Sequence, residues 1–434
     1  MALAPQLPQP TPSSRRVELP IELWDIIFEL SGPDAATLSL VHSPLNVSQV
    51  SRRWRAIGLS NTALWSTLAV TTTRRHAEDA LAFDALYRVV RLWLRRSGTR
   101  LLCVSLTHSD NVETARPLDA LLESVLRHSC RLRALRVDGP GSALFPLEHP
   151  GLCFPALEDL KIDTTSSQHP GAAPEVTVAL NYPPRLRSLV AHASSVQIAA
   201  VDCRQLTALD VLGTFWTVEE TLVFLADAPH MQNLRLSVNG ATPNQHPRVE
   251  APSLRSLTLE FDESLSPASL RCSRIGVFFA LLHTPNLDHL SIHERPVTAL
   301  PLNSWPHSQF VSFLGRTPLL RSLHLAHLPL YETQIVECLQ QIPLLVDLVL
   351  EAQSQRNVGD LLVNALACGI AAALRSVEFR HCGKRCTEQA LIHMVDSRVA
   401  SGELRYLRVH RSALPSPELV KRVEEWEVVV DVQY

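Results

Sequence analysis

Residues 319–325 read LLRSLHL, and residues 253–259 and 373–379 read SLRSLTL and ALRSVEF. In each stretch, apolar residues occupy the second, fifth and seventh positions. The last two lie two residues apart, so on a β-strand they point to the same face. Segments such as VEETLVFLADAP and QIVECLQQIP lie between such stretches and have the apolar spacing of a helix. The pattern therefore predicts alternating strands and helices.

The strand pattern recurs twelve times beyond residue 100, and its first leucine-type position falls at residues 101, 132, 157, 186, 206, 231, 254, 287, 320, 345, 374 and 404. Leucine-rich repeats have periods of about 20 to 29 residues, each with a strand and a helix or looser connection. Most of the spacings lie in or near this range. We therefore expect an α/β solenoid of irregular leucine-rich repeats, with Leu257 and Leu323 in its core.

A different pattern precedes the repeats, in VELPIELWDIIFEL (17–30) and LNVSQVSRRWRAIG (45–58). The first segment predicts a helix that is apolar on two sides, one formed by Leu23, Ile26, Ile27 and Leu30 and the other by Ile21, Trp24 and Phe28. The second predicts one helix with a stripe of Val47, Val50, Trp54 and Ile57. A third short helix after Asn61 would hold Leu64, Trp65 and Leu68. One side of the first helix needs a cover from outside this small bundle.

These helices resemble the F-box, whose pattern is Leu-Pro-x-Glu, an apolar helix, a helix ending in Arg-x-Trp-Arg-x-Ile, and a final Leu-Trp. The matching residues are Leu19-Pro20-Ile21-Glu22, Arg52-Arg53-Trp54-Arg55-Ala56-Ile57 and Leu64-Trp65. Ser51 stands where the family often has Cys, and the loop from Ser31 to Pro44 is long. The helix expected from Arg74 to Gly98, which ends in Trp-Leu-Arg-Arg-Ser-Gly, resembles fungal F-box proteins with leucine-rich repeats.

The expected organisation follows from these two patterns. Residues 1–16 contain four prolines among polar residues and should form a disordered tail. Residues 17–68 would be the three-helix F-box, residues 69–98 a linker helix, and residues 99–434 the leucine-rich-repeat solenoid.

The resemblance implies a substrate receptor of an SCF-type ubiquitin ligase, in which the F-box binds a Skp-type adaptor attached to the cullin core. The family's adaptor-facing positions correspond here to Leu19, Pro20, Leu23, Ile26, Ile27, Val50 and Trp54. Trp54 can also be read as a core aromatic of its own bundle. One alternative is a scaffold whose F-box does not direct degradation, and another is an enzyme with a divergent site.

A target surface is expected on the concave face of the solenoid. The side chain between the two strand leucines of each unit should point away from the core. These positions are basic in the early units, at Arg136, Lys161 and Arg235. They predict that an acidic or phosphorylated target segment binds there, unless they are merely solvated strand residues.

Composition and hydrophobicity argue against nucleic-acid-binding and membrane proteins and indicate the compartment. Lys plus Arg total 40 and Asp plus Glu 43, a balance that argues against a nucleic-acid binder. No apolar stretch reaches the roughly 18 to 20 residues of a membrane helix. Nine scattered cysteines favour a reducing compartment, the cytoplasm or the nucleus.

We find no catalytic motif and expect no cofactor. The nearest metal motif is His381-Cys382 with Cys386, which only the remote Cys368 or His393 could complete.

Overall fold

The computed structural model describes residues 19–31, 44–109, 116–149, 151–164, 176–179, 183–192, 196–199, 203–239, 247–261, 268–294, 305–351, 358–382, 386–400, 404–411 and 429–433. Its main feature is a 14-stranded sheet in which every described pair of neighbouring strands is parallel. The expected tail, residues 1–16, and most of the expected loop from Ser31 to Pro44 lie outside the described residues.

The strands, numbered in chain order, are β1 Thr67–Thr72, β2 Leu102–His108, β3 Leu132–Asp138, β4 Asp159–Asp163, β5 Val176–Ala179, β6 Ser188–His192, β7 Val196–Ala199, β8 Ala208–Thr217, β9 Asn233–Asn239, β10 Val249–Glu250, β11 Ser256–Phe261, β12 Leu282–His283, β13 His289–Glu294, β14 Ser322–Ala326, β15 Asp347–Glu351, β16 Ser376–Cys382, β17 Tyr406–Arg411 and β18 Val429–Gln433. Two small pairs, β5 with β7 and β10 with β12, lie apart from the main sheet. The other strands follow one another in chain order across it.

The α-helices are α1 Ile21–Leu30, α2 Val47–Val50, α3 Arg52–Ser60, α4 Arg74–Glu78, α5 Ala80–Arg96, α6 Arg116–Leu126, α7 Val218–Asp227, α8 Ala268–Leu281, α9 His307–Leu314, α10 Glu332–Gln340, α11 Asp360–Ala367 and α12 Glu388–Ala400. Short 3₁₀ helices span Thr62–Trp65, Ser129–Arg131, Gly141–Glu148 and Cys203–Gln205. Parallel strands joined by helices or loops fit the expected leucine-rich-repeat type of α/β solenoid.

All twelve predicted repeat strands are confirmed as consecutive strands of the sheet. The leucines of each unit are buried and their neighbours point outward, as in the alternating burial of β11 and β15. Leu257 and Leu323 are fully buried, as predicted. We call the side of the sheet that faces away from this core the open face.

The N-terminal helices differ from the expectation in three places. The predicted second helix is two helices, because Ser51 is extended and its hydroxyl accepts a hydrogen bond from the Trp54 N–H at the start of α3. Leu68 belongs to β1 and not to the third helix. The helix expected from Arg74 to Gly98 is broken into α4 and α5, because Asp79 caps the start of α5. The sheet therefore begins at Thr67, ahead of residue 99.

Consecutive repeats are also joined through their helix ends. At the start of α11, the Glu332 carboxylate of the preceding repeat accepts a hydrogen bond from the Leu362 N–H, with an N···O distance of 3.2 Å. Asp360 accepts in the same way from the backbone and hydroxyl of Thr387, just before α12. Each carboxylate thus accepts a hydrogen bond from a backbone N–H at or next to the start of a helix, where such groups have no partner within the helix.

Arginines bind the opposite helix ends. The buried Arg398 of α12 donates to the carbonyls of Leu366, Ile370 and Ala371 around the end of α11. Arg131 makes equivalent bonds at the end of α5, and Arg316 at the end of α8. Backbone carbonyls at the helix ends thus accept hydrogen bonds from arginine side chains of neighbouring repeats.

Candidate functional site

One side of α1 is apolar and exposed. The exposed fractions of Leu23, Ile26 and Ile27 are 45%, 53% and 41%, and Leu30 lies beside them at the end of the helix. These residues recur at helical spacing, so they form one strip. A contiguous apolar strip on a folded helix marks an interaction site more often than scattered apolar residues do.

The opposite side of α1 packs against α3 through three aromatic rings. The ring centroids of Trp24 and Trp54 are 4.7 Å apart, and those of Phe28 and Trp54 are 5.0 Å apart. Phe28 is buried, whereas Trp24 and Trp54 are half-buried. Trp54 thus serves the protein's own core, as the second interpretation of this residue predicted.

Val50 lies outside the expected stripe, because the break at Ser51 turns it away from Val47 and Ile57. Its exposed fraction is 62%, whereas Val47 and Ile57 are buried. Pro20 is exposed and Leu19 is half-buried. The Leu19 carbonyl accepts a hydrogen bond of 3.2 Å from Arg53 Nη2, which holds the start of α1 against α3.

The small helical bundle is attached to the first strands of the sheet. Asn61 donates from Nδ2 to Asp25 and Glu29 of α1, and Trp65 Nε1 donates to the Gly58 carbonyl. The rings of Trp65 and Trp93 are 4.8 Å apart, and Trp93 Nε1 donates to the carbonyl of Thr67 in β1. These bonds fix the position of α1 relative to the repeats.

The open face carries the predicted row of outward side chains. Strand register places its members on adjacent strands, and they are Arg136, Lys161, Val190, Asp210, Arg235, Thr258, Ser291, His324, Val349, Glu378 and Arg408. The sequence analysis named Arg136, Lys161 and Arg235 of this row and defined the other members by their position between the two strand leucines. The predicted geometry of the row is therefore confirmed.

Each of the three predicted target-binding cations has a carboxylate beside it. Arg136 Nη2 lies 3.9 Å from Asp138 Oδ2, and Lys161 Nζ lies 4.0 Å from Asp163 Oδ2. These carboxylates come two residues later on the same strand, so they point to the same face. Attraction of an acidic target to these cations is correspondingly weakened.

The third cation, Arg235, lies between two carboxylates. Its Nη2 donates a hydrogen bond of 3.1 Å to Glu260 on β11, and its Nη1 lies 3.9 Å from Asp210 on β8. Burial and the nearby Asp163 carboxylate raise the pKa of Asp138 despite its two cationic neighbours. The early part of the open face therefore carries carboxylates as well as cations.

The centre of the open face carries histidines. The rings of His293 on β13 and His324 on β14 meet edge to face, with centroids 4.4 Å apart. Burial lowers the pKa of both imidazoles, and that of His324, which His293 and Arg380 lower further, falls to about 4. Both imidazoles are therefore mostly neutral at pH 7.

The last described repeats carry an ion-pair network. Glu378 accepts a hydrogen bond of 2.9 Å from Arg380 Nε, and Arg408 Nη1 lies 3.4 Å from the same carboxylate. Burial alone would raise the pKa of Glu378, but these two guanidinium groups lower it overall. Arg380 also bonds Glu351 on the neighbouring strand. These charges compensate one another.

A second row, which the sequence analysis missed, lies at the starts of the strands. Each member donates its backbone N–H to the carbonyl of the member before it, over 2.7 or 2.8 Å. The late members are Arg255, Asp288, Arg321, Val346, Arg375 and Arg405, and we call these six residues the arginine rim. Its signal was visible in the sequence, because four units share the letters L-R-S and three of them belong to the rim.

Comparisons with known proteins give similarities to solved structures. No protein-family model matches the sequence, and no curated protein matches it. The crystal structure of a TLR13–ssRNA13 complex is similar with a TM-score of 0.38 and 16% sequence identity. The similarity covers 71% of this chain and 38% of that one, so the chain spans less than two thirds of that structure. The parallel strands and their register define the fold.

Within the described ranges, no group of three or more His, Cys, Asp or Glu side chains is placed to hold a metal ion. Residues 383–385, between the histidine and cysteines of the metal motif, lie outside those ranges. No helix in the described part of the chain is long and apolar enough to cross a membrane.

Proposed function

We propose that the chain is a non-enzymatic substrate receptor of an SCF-type ubiquitin ligase, with residues 17–68 as its F-box. The observation that carries this proposal is the exposed apolar strip of Leu23, Ile26 and Ile27 on a bundle anchored to a repeat array. Together with the F-box resemblance, the strip supports docking of a Skp-type adaptor. The adaptor in turn would join the receptor to the cullin core.

The adaptor-facing residues divide into two groups. Pro20, Leu23, Ile26, Ile27 and Val50 are exposed, so each has side-chain surface available to a partner. Leu19 and Trp54 are half-buried, and Trp54 contributes mainly by supporting α1 from behind. We therefore propose the exposed group as the contact surface, with Leu19 and Trp54 at its edge.

The repeats would present a protein target to the ligase. A stacked array offers an extended surface, and its units need no cofactor to fold. In this role the protein contributes binding and geometry, while the ligase core supplies the transfer of ubiquitin.

Co-purification with a Skp-type adaptor tests the proposal. Interface anchors often contribute about 2 kcal/mol or more each, so the variant L23A/I26A/I27A should weaken adaptor binding at least 100-fold. The control variant L319A/L344A/L361A removes three comparably exposed apolar side chains from the repeats and should bind normally. Equal binding by both variants would reject the F-box assignment.

Ubiquitylation of a co-purified protein separates the receptor from a scaffold. The receptor should support ubiquitin transfer to that protein in a reconstituted ligase, and the strip variant should not. Adaptor binding without any transfer would instead favour the scaffold.

A further inference from the structure

The arginine rim differs from the open face in how its charges are compensated. Arg255, Arg321, Arg375 and Arg405 are all exposed. Arg321 lies 3.7 Å from Asp288, in a pair whose two side chains are both exposed. The side chains of the other three make no hydrogen bond or ion pair with any residue that the structure describes. The rim thus has four arginines and one carboxylate over six positions, with its guanidinium groups available.

A hydroxyl follows each of these arginines. Ser256, Ser322, Ser376 and Tyr406 are the next residues, and strand register places them in one row with His289 and with Asp347, whose carboxylate follows Val346 between Ser322 and Ser376. The three serine side chains are half-buried and make no hydrogen bond within the described part of the chain. A guanidinium group beside a free hydroxyl can bind a carboxylate through several hydrogen bonds at once.

The spacing of the rim matches an extended chain. Adjacent parallel strands lie about 4.8 Å apart, so arginines two positions apart are separated by about 9.6 Å. Arg255, Arg321 and Arg375 follow one another at this interval. An extended peptide in the polyproline II conformation has three residues per turn and advances about 3.1 Å per residue, so every third side chain lies on one face, about 9.3 Å from the next, and would meet the next arginine.

We propose that the arginine rim binds an extended protein segment with Asp or Glu at every third residue, each carboxylate resting on one Arg–Ser pair. This inference rests on the proposed role of the repeats in target binding and identifies the target's chemistry. It places an acidic segment at the starts of the strands, whereas the row of Arg136, Lys161 and Arg235 faces its own carboxylates.

Fluorescence anisotropy with the full-length chain tests the proposal. The probe is a labelled 13-residue peptide of Gly, Ala and Thr with Glu at positions 4, 7 and 10. It should bind tightest at low salt, because exposed charge pairs are screened by ions. A peptide of the same composition with three consecutive Glu residues should bind about tenfold more weakly, and one with Lys in place of Glu should not bind.

Two variants and a control locate the site. R255Q/R321Q/R375Q should weaken binding of the spaced peptide at least tenfold. S256A/S322A/S376A should weaken it about threefold to tenfold without changing the net charge. R88Q/R91Q/R95Q, which removes three exposed arginines from α5, should leave it within about twofold.

Three results would overturn the proposal: equal loss in the two arginine variants, equal binding of spaced and consecutive Glu peptides, or no binding of the spaced peptide. Tighter binding of a 20-residue single-stranded oligonucleotide or of a phosphoserine peptide than of the Glu peptide would also overturn it, in favour of that ligand. Adaptor co-purification of the same variants is measured in parallel. Failure at the rim is thereby distinguished from failure of the F-box proposal.

Discussion

Arg235 on β9 donates a hydrogen bond of 3.1 Å to Glu260 on the neighbouring strand β11. The bond engages a cation that the strand pattern singled out for target binding. Arg136 and Lys161 likewise face carboxylates of their own strands. Charge on the open face is therefore largely paired within the protein, and this pairing bears on how target binding should be tested.

Replacing Arg136, Lys161 and Arg235 with Glu should destabilise the repeats. Each new carboxylate would lie near Asp138, Asp163, Asp210 or Glu260 and would be repelled. Replacement with Gln should have a smaller effect, because half-exposed ion pairs contribute about 0 to 1 kcal/mol each. Thermal denaturation at low and high salt measures both effects. Salt screens the repulsion, so it should narrow the difference in melting temperature between the Glu and Gln variants.

The same two variants test target binding. Should these cations bind an acidic target, both variants should lose target capture and keep adaptor binding. Unchanged capture by the Gln variant would place the target elsewhere, since that variant keeps the fold.

The residues proposed to face the adaptor should separate into binding and stability roles. Leu19 and Pro20 changed together to Ala should weaken adaptor binding by roughly 100- to 1000-fold. The single change V50D, which places a charge on the contact surface, should abolish adaptor binding. Neither change removes a fully buried side chain. W54A should in addition lower the melting temperature, because its ring packs on Trp24 and Phe28. Adaptor pull-down and calorimetry on the same samples distinguish the roles. A V50D protein that retains the adaptor would contradict the proposed surface.

Leu257 and Leu323 are core residues of separate repeats. Changing either to Ala should cost about 2 to 5 kcal/mol, because each side chain is fully buried. In a stacked array the loss should spread mainly to adjacent repeats. Hydrogen exchange should therefore show reduced protection around the altered strand. A uniform loss across residues 99–434 would indicate one cooperative core.

Arg398 should be needed for stability. R398M leaves the carbonyls of Leu366, Ile370 and Ala371 without this donor, at a cost of about 1 to 3 kcal/mol for each buried group left unsatisfied. R405M removes an exposed arginine and should change stability by less than about 0.5 kcal/mol. Urea denaturation of the two variants gives the comparison. Equal midpoints would show that the buried bonds contribute little.

The buried imidazole of His324 should make stability depend on pH. Its pKa falls from 6.5 to about 4 on folding, so between these values the unfolded chain binds more protons than the folded one. Its contribution to the free energy of unfolding is complete above pH 6.5 and is lost as the pH falls toward 4.

Urea midpoints at pH 7, 5.5 and 4.5 check this prediction. H324Q should lose less stability over this range than the wild type, whereas H230Q, at an exposed site, should follow the wild type. His293, His289, Arg380 and Glu351 also influence His324, so they are kept unchanged. A parallel decline of wild type and H324Q would exclude His324 as the source.

The repeat strands could be predicted because their signal is local. Two leucines two residues apart determine which face of a strand is buried, as the alternation around Leu257 shows. The carboxylates of Asp138 and Asp163 were also within reach of this rule, since each lies two residues after its cation. The prediction considered only the residue between the leucines.

Other features of the structure could not be predicted from the local sequence. At Ser51 a hydroxyl cap competes with continuation of the helix, and apolar spacing alone does not show which prevails. Arg398 bonds carbonyls 26 to 32 residues earlier in the chain, an arrangement that exists only after the repeats have stacked. The side-chain position of Trp54 depended in the same way on how α1 packs against α3.

The carboxylates and arginines at the helix ends also restrict how this chain can change in length. Removing the repeat that contains α11 would take away Asp360, which binds Thr387, and the carbonyls that bind Arg398. It would also leave Glu332 without the Leu362 N–H. A shortened array would thus lose two matched junctions and form one new junction, between the repeats of α10 and α12. Gain or loss of repeats in this lineage should therefore occur at the ends of the array, where only one junction is disturbed.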